Sequence, residues 1–140
     1  MNIVVGVDGS EDSKRALAWC GKYAGALGAK VFAVHAIEVP VYAWRLDVYA
    51  PPLYTDVDRE RIEETLRGEW CKVLTDAGVP FEAEVVDGYP ANVIIEVAHR
   101  EKADLVVTGR RGLGGFKEMM LGSTSHHLSH HLDRPLVIVP

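Results

Sequence analysis

Two cysteines in 140 residues, Cys20 and Cys71, are too few for a disulfide framework, and each sits in a helical apolar pattern where a small buried hydrophobe belongs. No run of about 18 apolar residues occurs, so no segment reads as a membrane-spanning helix. Positive charge is scarce as well. Fifteen Lys and Arg stand against 20 Asp and Glu, and the net charge of −5 repels polyanions at long range, which argues against general nucleic-acid binding. Met1 leads straight into an apolar run with no basic stretch before it, unlike a secretory leader. The expectation is a protein of the reducing cytoplasm without membrane attachment. With 48% hydrophobic residues the chain can fill one core, and its length predicts a single domain over residues 1–140.

Short apolar runs alternate with segments of helical period. Ile3-Val4-Val5-Gly6-Val7 is a β-branched run closed by Asp8-Gly9-Ser10, and Leu17, Cys20, Ala24 and Leu27 follow at helical spacing. Residues 30–37 predict a second strand. Residues 38–54 have no period and carry Pro40, Pro51 and Pro52; the aromatic Tyr42, Trp44, Tyr49 and Tyr54 either anchor this long loop to the surface or make it a lid or partner surface. Thr55 and Asp58 have the spacing of a helix-start box, and Ile62, Leu66, Trp70, Val73 and Leu74 line one face of a helix ended by Gly78. Residues 81–86 predict a third strand. Pro90 opens a helix carrying Ile94, Val97 and Ala98, residues 103–107 predict a fourth strand, and a short helix over 123–132 precedes the last strand, Leu136 to Val139. Five strands alternating with four helices predict an α/β fold: an open parallel sheet with helices on both faces.

In such sheets ligands bind beyond the carboxyl ends of the strands, where the strand order reverses. Polar and glycine-rich residues follow strands at two places, Asp8-Gly9-Ser10 and Gly109-Arg110-Arg111-Gly112-Leu113-Gly114-Gly115. If strands one and four are neighbours, the two loops face one crevice. After the second loop, Gly122-Ser123 opens a helix. Glycines let backbone N–H groups turn inward, and the first N–H groups of a helix are free donors at the positive end of its dipole, which together suit an anion. Arg110, Arg111 and Lys117 add local positive charge, and the Ser123 hydroxyl either caps its own helix or bonds a phosphate oxygen. No P-loop signature occurs, and Gly112-x-Gly114 runs into Lys117 where the dinucleotide fingerprint needs glycine.

Gly109, Gly112, Gly122 and Ser123 fit the pattern Gly-x2-Gly-x9-Gly-Ser/Thr at every position. With the opening Ile3 to Ser10, Val34-His35-Ala36 and the closing Pro135 to Val139, the whole chain resembles the universal stress protein family, specifically its ATP-binding branch. The resemblance implies a sheet of order 3-2-1-4-5 and an adenine-nucleotide pocket between strands one and four. It implies that the Asp8-Gly9-Ser10 turn lies beside the ribose or a phosphate-bound Mg²⁺, with Asp8 as the cation's carboxylate, and that the Ala36 backbone reads the adenine edge. Thr108 and Gly109 are then placed at the ribose, and Gly112, Gly122, Ser123 and Thr124 at the phosphates. It further implies an ATP-binding regulator that dimerises through Leu136 to Val139 and acts on a protein partner the sequence does not name. Two alternatives share the pocket: a slow ATPase or phosphotransferase, for which no general base or arginine finger is identifiable, and a binder of AMP or cyclic AMP.

Three other constellations read as structural. His126 with His130 and His127 with His131 have i, i+4 spacing, but Leu121, Leu128 and Leu132 define the buried face and turn His126 and His130 to solvent; a zinc site also normally recruits three or four ligands. His35 has no nucleophile to pair with and reads as a hydrogen-bonded histidine. Trp19, Trp70 and Tyr23 read as packing.

Overall fold

Valine and isoleucine, stiff at χ1 and suited to a pleated surface, dominate the sheet. Its strands are β1 (Asn2–Gly6), β2 (Lys30–Ile37), β3 (Phe81–Asp87), β4 (Leu105–Gly109) and β5 (Leu136–Val139). In the computed structural model, which describes residues 1–38, 56–113 and 120–140, the strands form one parallel sheet of order β3-β2-β1-β4-β5. Around it lie α1 (Glu11–Tyr23), α2 (Asp56–Thr65), the short α3 (Lys72–Asp76), α4 (Pro90–Arg100) and α5 (Ser123–His131). The aromatic loop, Thr55, Gly114, Gly115 and Lys117 lie outside the described residues. No helix among the described residues is long and apolar enough to cross a membrane.

Period-two alternation sends the strands' side chains to two cores. Ile3 and Val5 point to the face covered by α1 and α3 with Leu17, Cys20, Leu66 and Leu74, while Val4, between them, packs with Val34, Val97, Val106 and Leu128 under α4 and α5. Both cysteines are free and fully buried, as their setting in the sequence suggests.

Four local expectations need correction. Helix α1 stops at Tyr23, and Leu27 is 44% exposed, because Gly28 takes φ +59 and the Ala29 N–H closes back on the Ala24 carbonyl. Strand β4 begins and ends two residues later than 103–107, since the Ala103 N–H is used to close α4 on the Ala98 carbonyl, and Gly109 pairs with Val139. The helix predicted as continuous to Gly78 is interrupted by a π turn over Leu66–Trp70, where the Cys71 N–H reaches the Leu66 carbonyl at 2.9 Å. That extra residue keeps both Leu66 and Cys71 in the core and swings Trp70 aside toward Gly9 and His35. Finally, the residue that caps α5 is Gly122, and Ser123 is its first helical residue.

Candidate functional site

The strand order reverses between β1 and β4, so the loops leaving them diverge to opposite sides and open a crevice. There the structure has a cleft of about 810 Å³, within the range of small-molecule sites, about 300–1,000 Å³. Eight of the ten residues singled out from the sequence line it: Asp8, Ala36, Thr108, Gly109, Gly112, Gly122, Ser123 and Thr124. Gly9 and Ser10 do not. Gly9, at φ +79, packs its bare Cα against Trp70, and buried Ser10 is the N-cap of α1, accepting the Ser13 N–H.

Asp8 joins the two loops. One carboxylate oxygen accepts the Ser10 N–H at 2.9 Å and the other the Leu113 N–H at 3.1 Å. Asp12, in the first turn of α1, makes a second tie by accepting the Arg111 N–H at 2.9 Å while ion-paired to Arg15. Ser125 makes a third: its buried hydroxyl lies 2.8 Å from the Arg110 carbonyl and 3.2 Å from that of Gly122, and the Gly122 N–H donates to the Arg110 carbonyl at 2.8 Å. Asp12 and Ser125 escaped the sequence reading because an acid in a first helical turn and a serine two residues into a helix look like ordinary dipole and capping residues.

These ties explain the motif glycines by packing. A Cβ on Gly109 would lie 2.6–2.8 Å from the backbone and Cβ of Asp12, one on Gly112 would lie 2.5 Å from Asp8 Oδ2, and one on Gly122 would lie 3.1 Å from the Arg111 Cα. The glycines let β4, its loop and α5 close against each other and against α1, which brings the first turn of α5 to the cleft wall. The N–H groups of that turn have no intrahelical partners and carry the positive end of the helix dipole. Of the basic residues in this stretch, Arg111 lines the cleft and Arg110 does not.

At the far side His35, Ala36, Ile37 and Glu38 from the end of β2 meet Ile62 of α2 and Ile94 of α4. The His35 ring nitrogen Nδ1 lies 2.7 Å from the Val7 carbonyl, so it carries the proton, and the ring packs edge-on against Trp70 at 5.3 Å. The sequence sets Arg111 beside the anion site and His35 at the end of the second strand, but marks Ile62 only as a packing residue, because helix packing alone brings it to the cleft. Among the described residues no three His, Cys, Asp or Glu side chains converge on a metal position.

A doubly wound parallel sheet with its cleft at the switch point defines an open α/β protein. Residues 1–140 match the model of the universal stress protein family, and the chain belongs to that family. It is 38% identical over 141 residues to a universal stress protein of Thermus aquaticus, covering 98% of this chain and 96% of that one. It is 33% identical over 147 residues to the universal stress protein YxiE of Bacillus subtilis, covering 98% and 97%. Among solved structures, a universal stress protein in complex with cAMP superposes with a TM-score of 0.74 at 28% identity, over 99% of this chain and 95% of that one. The fold is shared with the universal stress protein UspA of Lactobacillus plantarum, TM-score 0.80 at 20% identity, over 100% and 97%.

Proposed function

We propose that this protein binds one adenine nucleotide in the switch-point cleft and acts as a nucleotide-dependent regulator in the stress response. The observation that carries the reading is the meeting, in one cleft of about 810 Å³, of the Gly109, Gly112, Gly122 and Ser123 motif with Asp8 and with Ala36 at the end of β2. Phosphates sit at the first turn of α5, held by its N–H groups and the Ser123 hydroxyl, and the base enters between Ala36, Ile62 and Ile94. Asp8 takes the carboxylate position for Mg²⁺ when the nucleotide is ATP. Within the cytoplasm and within one domain of 140 residues, occupancy would change the loops that a protein partner reads.

Binding of a monophosphate in the same cleft is the second reading. It is supported by the relative solved with cAMP. Mass spectrometry of the nucleotide released by denaturing the purified protein tests both. Intact ATP supports the first reading, AMP or cyclic AMP the second, and turnover of added ATP would replace both with an enzyme.

We also propose a twofold homodimer through β5. That edge strand, Leu136-Val137-Ile138-Val139, is half-buried along its whole length and has no charged side chain. At the opposite edge the Arg59 guanidinium donates to the Val85 carbonyl at 2.6 Å and Arg67 to the Ala83 carbonyl at 3.1 Å, which occupies two outward acceptors of β3. Sedimentation should give a dimer at micromolar concentration, and a stable monomer would refute this assembly.

A further inference from the structure

Four of the nine residues of α5 are histidine, and the proposed nucleotide site uses none of them. His126 and His130 are both exposed, one helical turn apart, with ring centroids 4.7 Å apart and planes at 64°. An ion held by imidazole nitrogens at about 2.0–2.1 Å lies about 3.1–3.2 Å from each ring centroid, so two cis ligands about 90–110° apart place their centroids roughly 4.4–5.2 Å apart. The His126 and His130 rings already have that separation. Little rearrangement of the helix is required, and the two side chains need only share one ion.

We propose that His126 and His130 form a bidentate site for a borderline divalent cation, on the face of α5 away from the cleft. Since no third His, Cys, Asp or Glu among the described residues completes a cage, water fills the remaining positions and the ion exchanges readily. That favours Cu²⁺, which is satisfied by two cis imidazoles and oxygen ligands in a tetragonal plane and stands highest in the divalent affinity order, over Ni²⁺ and Zn²⁺. His127 and His131 are a second such pair, with centroids 4.3 Å apart and planes tilted at 36°, but His127 is half-buried with the Tyr89 ring edge-on at 5.8 Å, which restrains it from turning to an ion. His130 and His131 are 6.5 Å apart, too far to share one.

The experiment is calorimetric titration of the full chain, without a polyhistidine tag, with Cu²⁺ and separately with Ni²⁺ in a non-chelating buffer. One Cu²⁺ per chain should bind saturably, with Ni²⁺ weaker. His126→Ala and His130→Ala should each lower Cu²⁺ affinity at least about tenfold, as the loss of a metal-supporting side chain does, while Ser129→Ala on the same exposed helix leaves it unchanged. Electron paramagnetic resonance of the copper form should show two equatorial nitrogens. Circular dichroism keeps a folding defect distinguishable, and alanine at these exposed positions favours helix. Copper binding equally strong in the His126→Ala, His130→Ala double variant, or lost instead in the His127→Ala, His131→Ala pair, would overturn the proposal.

Discussion

Oδ2 of Asp8 accepts the backbone N–H of Leu113 at 3.1 Å, joining the end of β1 to the loop that leaves β4, 105 residues further along the chain. The same carboxylate holds its own turn through Ser10. Removing it with Asp8→Ala leaves both N–H groups without this acceptor and should lower stability by about 1–3 kcal/mol, the usual cost of stranding a donor. Asp8→Asn keeps an acceptor and should cost less. Urea unfolding of the two variants checks the order.

Glycine substitutions should separate packing from ligand contact. Gly109→Ala forces a Cβ onto the backbone of Asp12, which belongs to a helix that cannot yield locally, and should destabilise by about 1–3 kcal/mol or more. Gly122→Ala meets the Arg111 Cα at 3.1 Å, a milder approach against a loop, and should lose less stability. Thermal unfolding measured without nucleotide tests this ranking, because the steric argument involves no ligand.

Burial pushes the Cys20 thiol up to about 12, with the neighbouring Cys71 adding to the effect, and burial raises Cys71 to about 11. Both thiols should resist thiol reagents in the native protein and react at once in denaturant, with native rates lower by roughly a thousandfold for Cys20 and a hundredfold for Cys71 as thiolate becomes scarce. Above the ordinary thiol value of 9.0 the unfolded chain loses these protons while the folded chain keeps them, so stability is full below about pH 9 and falls as pH rises toward 11–12. Unfolding midpoints between pH 8 and pH 11 should decline accordingly, and less steeply in a folded Cys71→Ala variant.

The two sheet edges make a further contrast. The partly exposed ion pair of Arg59 with Asp87 contributes little to stability, but Arg59 and the exposed Arg67 occupy two outward carbonyls of β3. The Arg59→Ala, Arg67→Ala double variant should therefore unfold at nearly the wild-type midpoint yet associate beyond the parent's oligomeric state, as light scattering would show. Lys14→Ala, an exposed charge removed elsewhere, serves as the control.

The alternation of β-branched runs with helical spacing made the sheet and its flanking helices legible, because period two and period 3.6 are written directly in positions such as Ile3, Val4 and Val5 or Leu17, Cys20 and Ala24. The chain's ends of elements were less so. Leu27 keeps helical spacing past a helix already closed by Gly28, and Ala103 belongs to a helix cap although it adjoins an apolar run. The π turn at Leu66–Trp70 has no signature beyond Gly68, since it exists to fit Trp70 against Gly9 and His35 from distant elements. The cleft was legible through its glycines and Asp8, whereas Ser125 and Ile62 line it, and Asp12 ties the Arg111 N–H beside it, only through tertiary packing.

The most direct test of the proposed function is calorimetric titration of the full chain with ATP, AMP and cyclic AMP, each beside its guanine counterpart. An adenine nucleotide should bind saturably, one per chain, clearly tighter than its guanine form. Absence of binding by all three adenine nucleotides, in protein shown by mass spectrometry to be nucleotide-free, would contradict it.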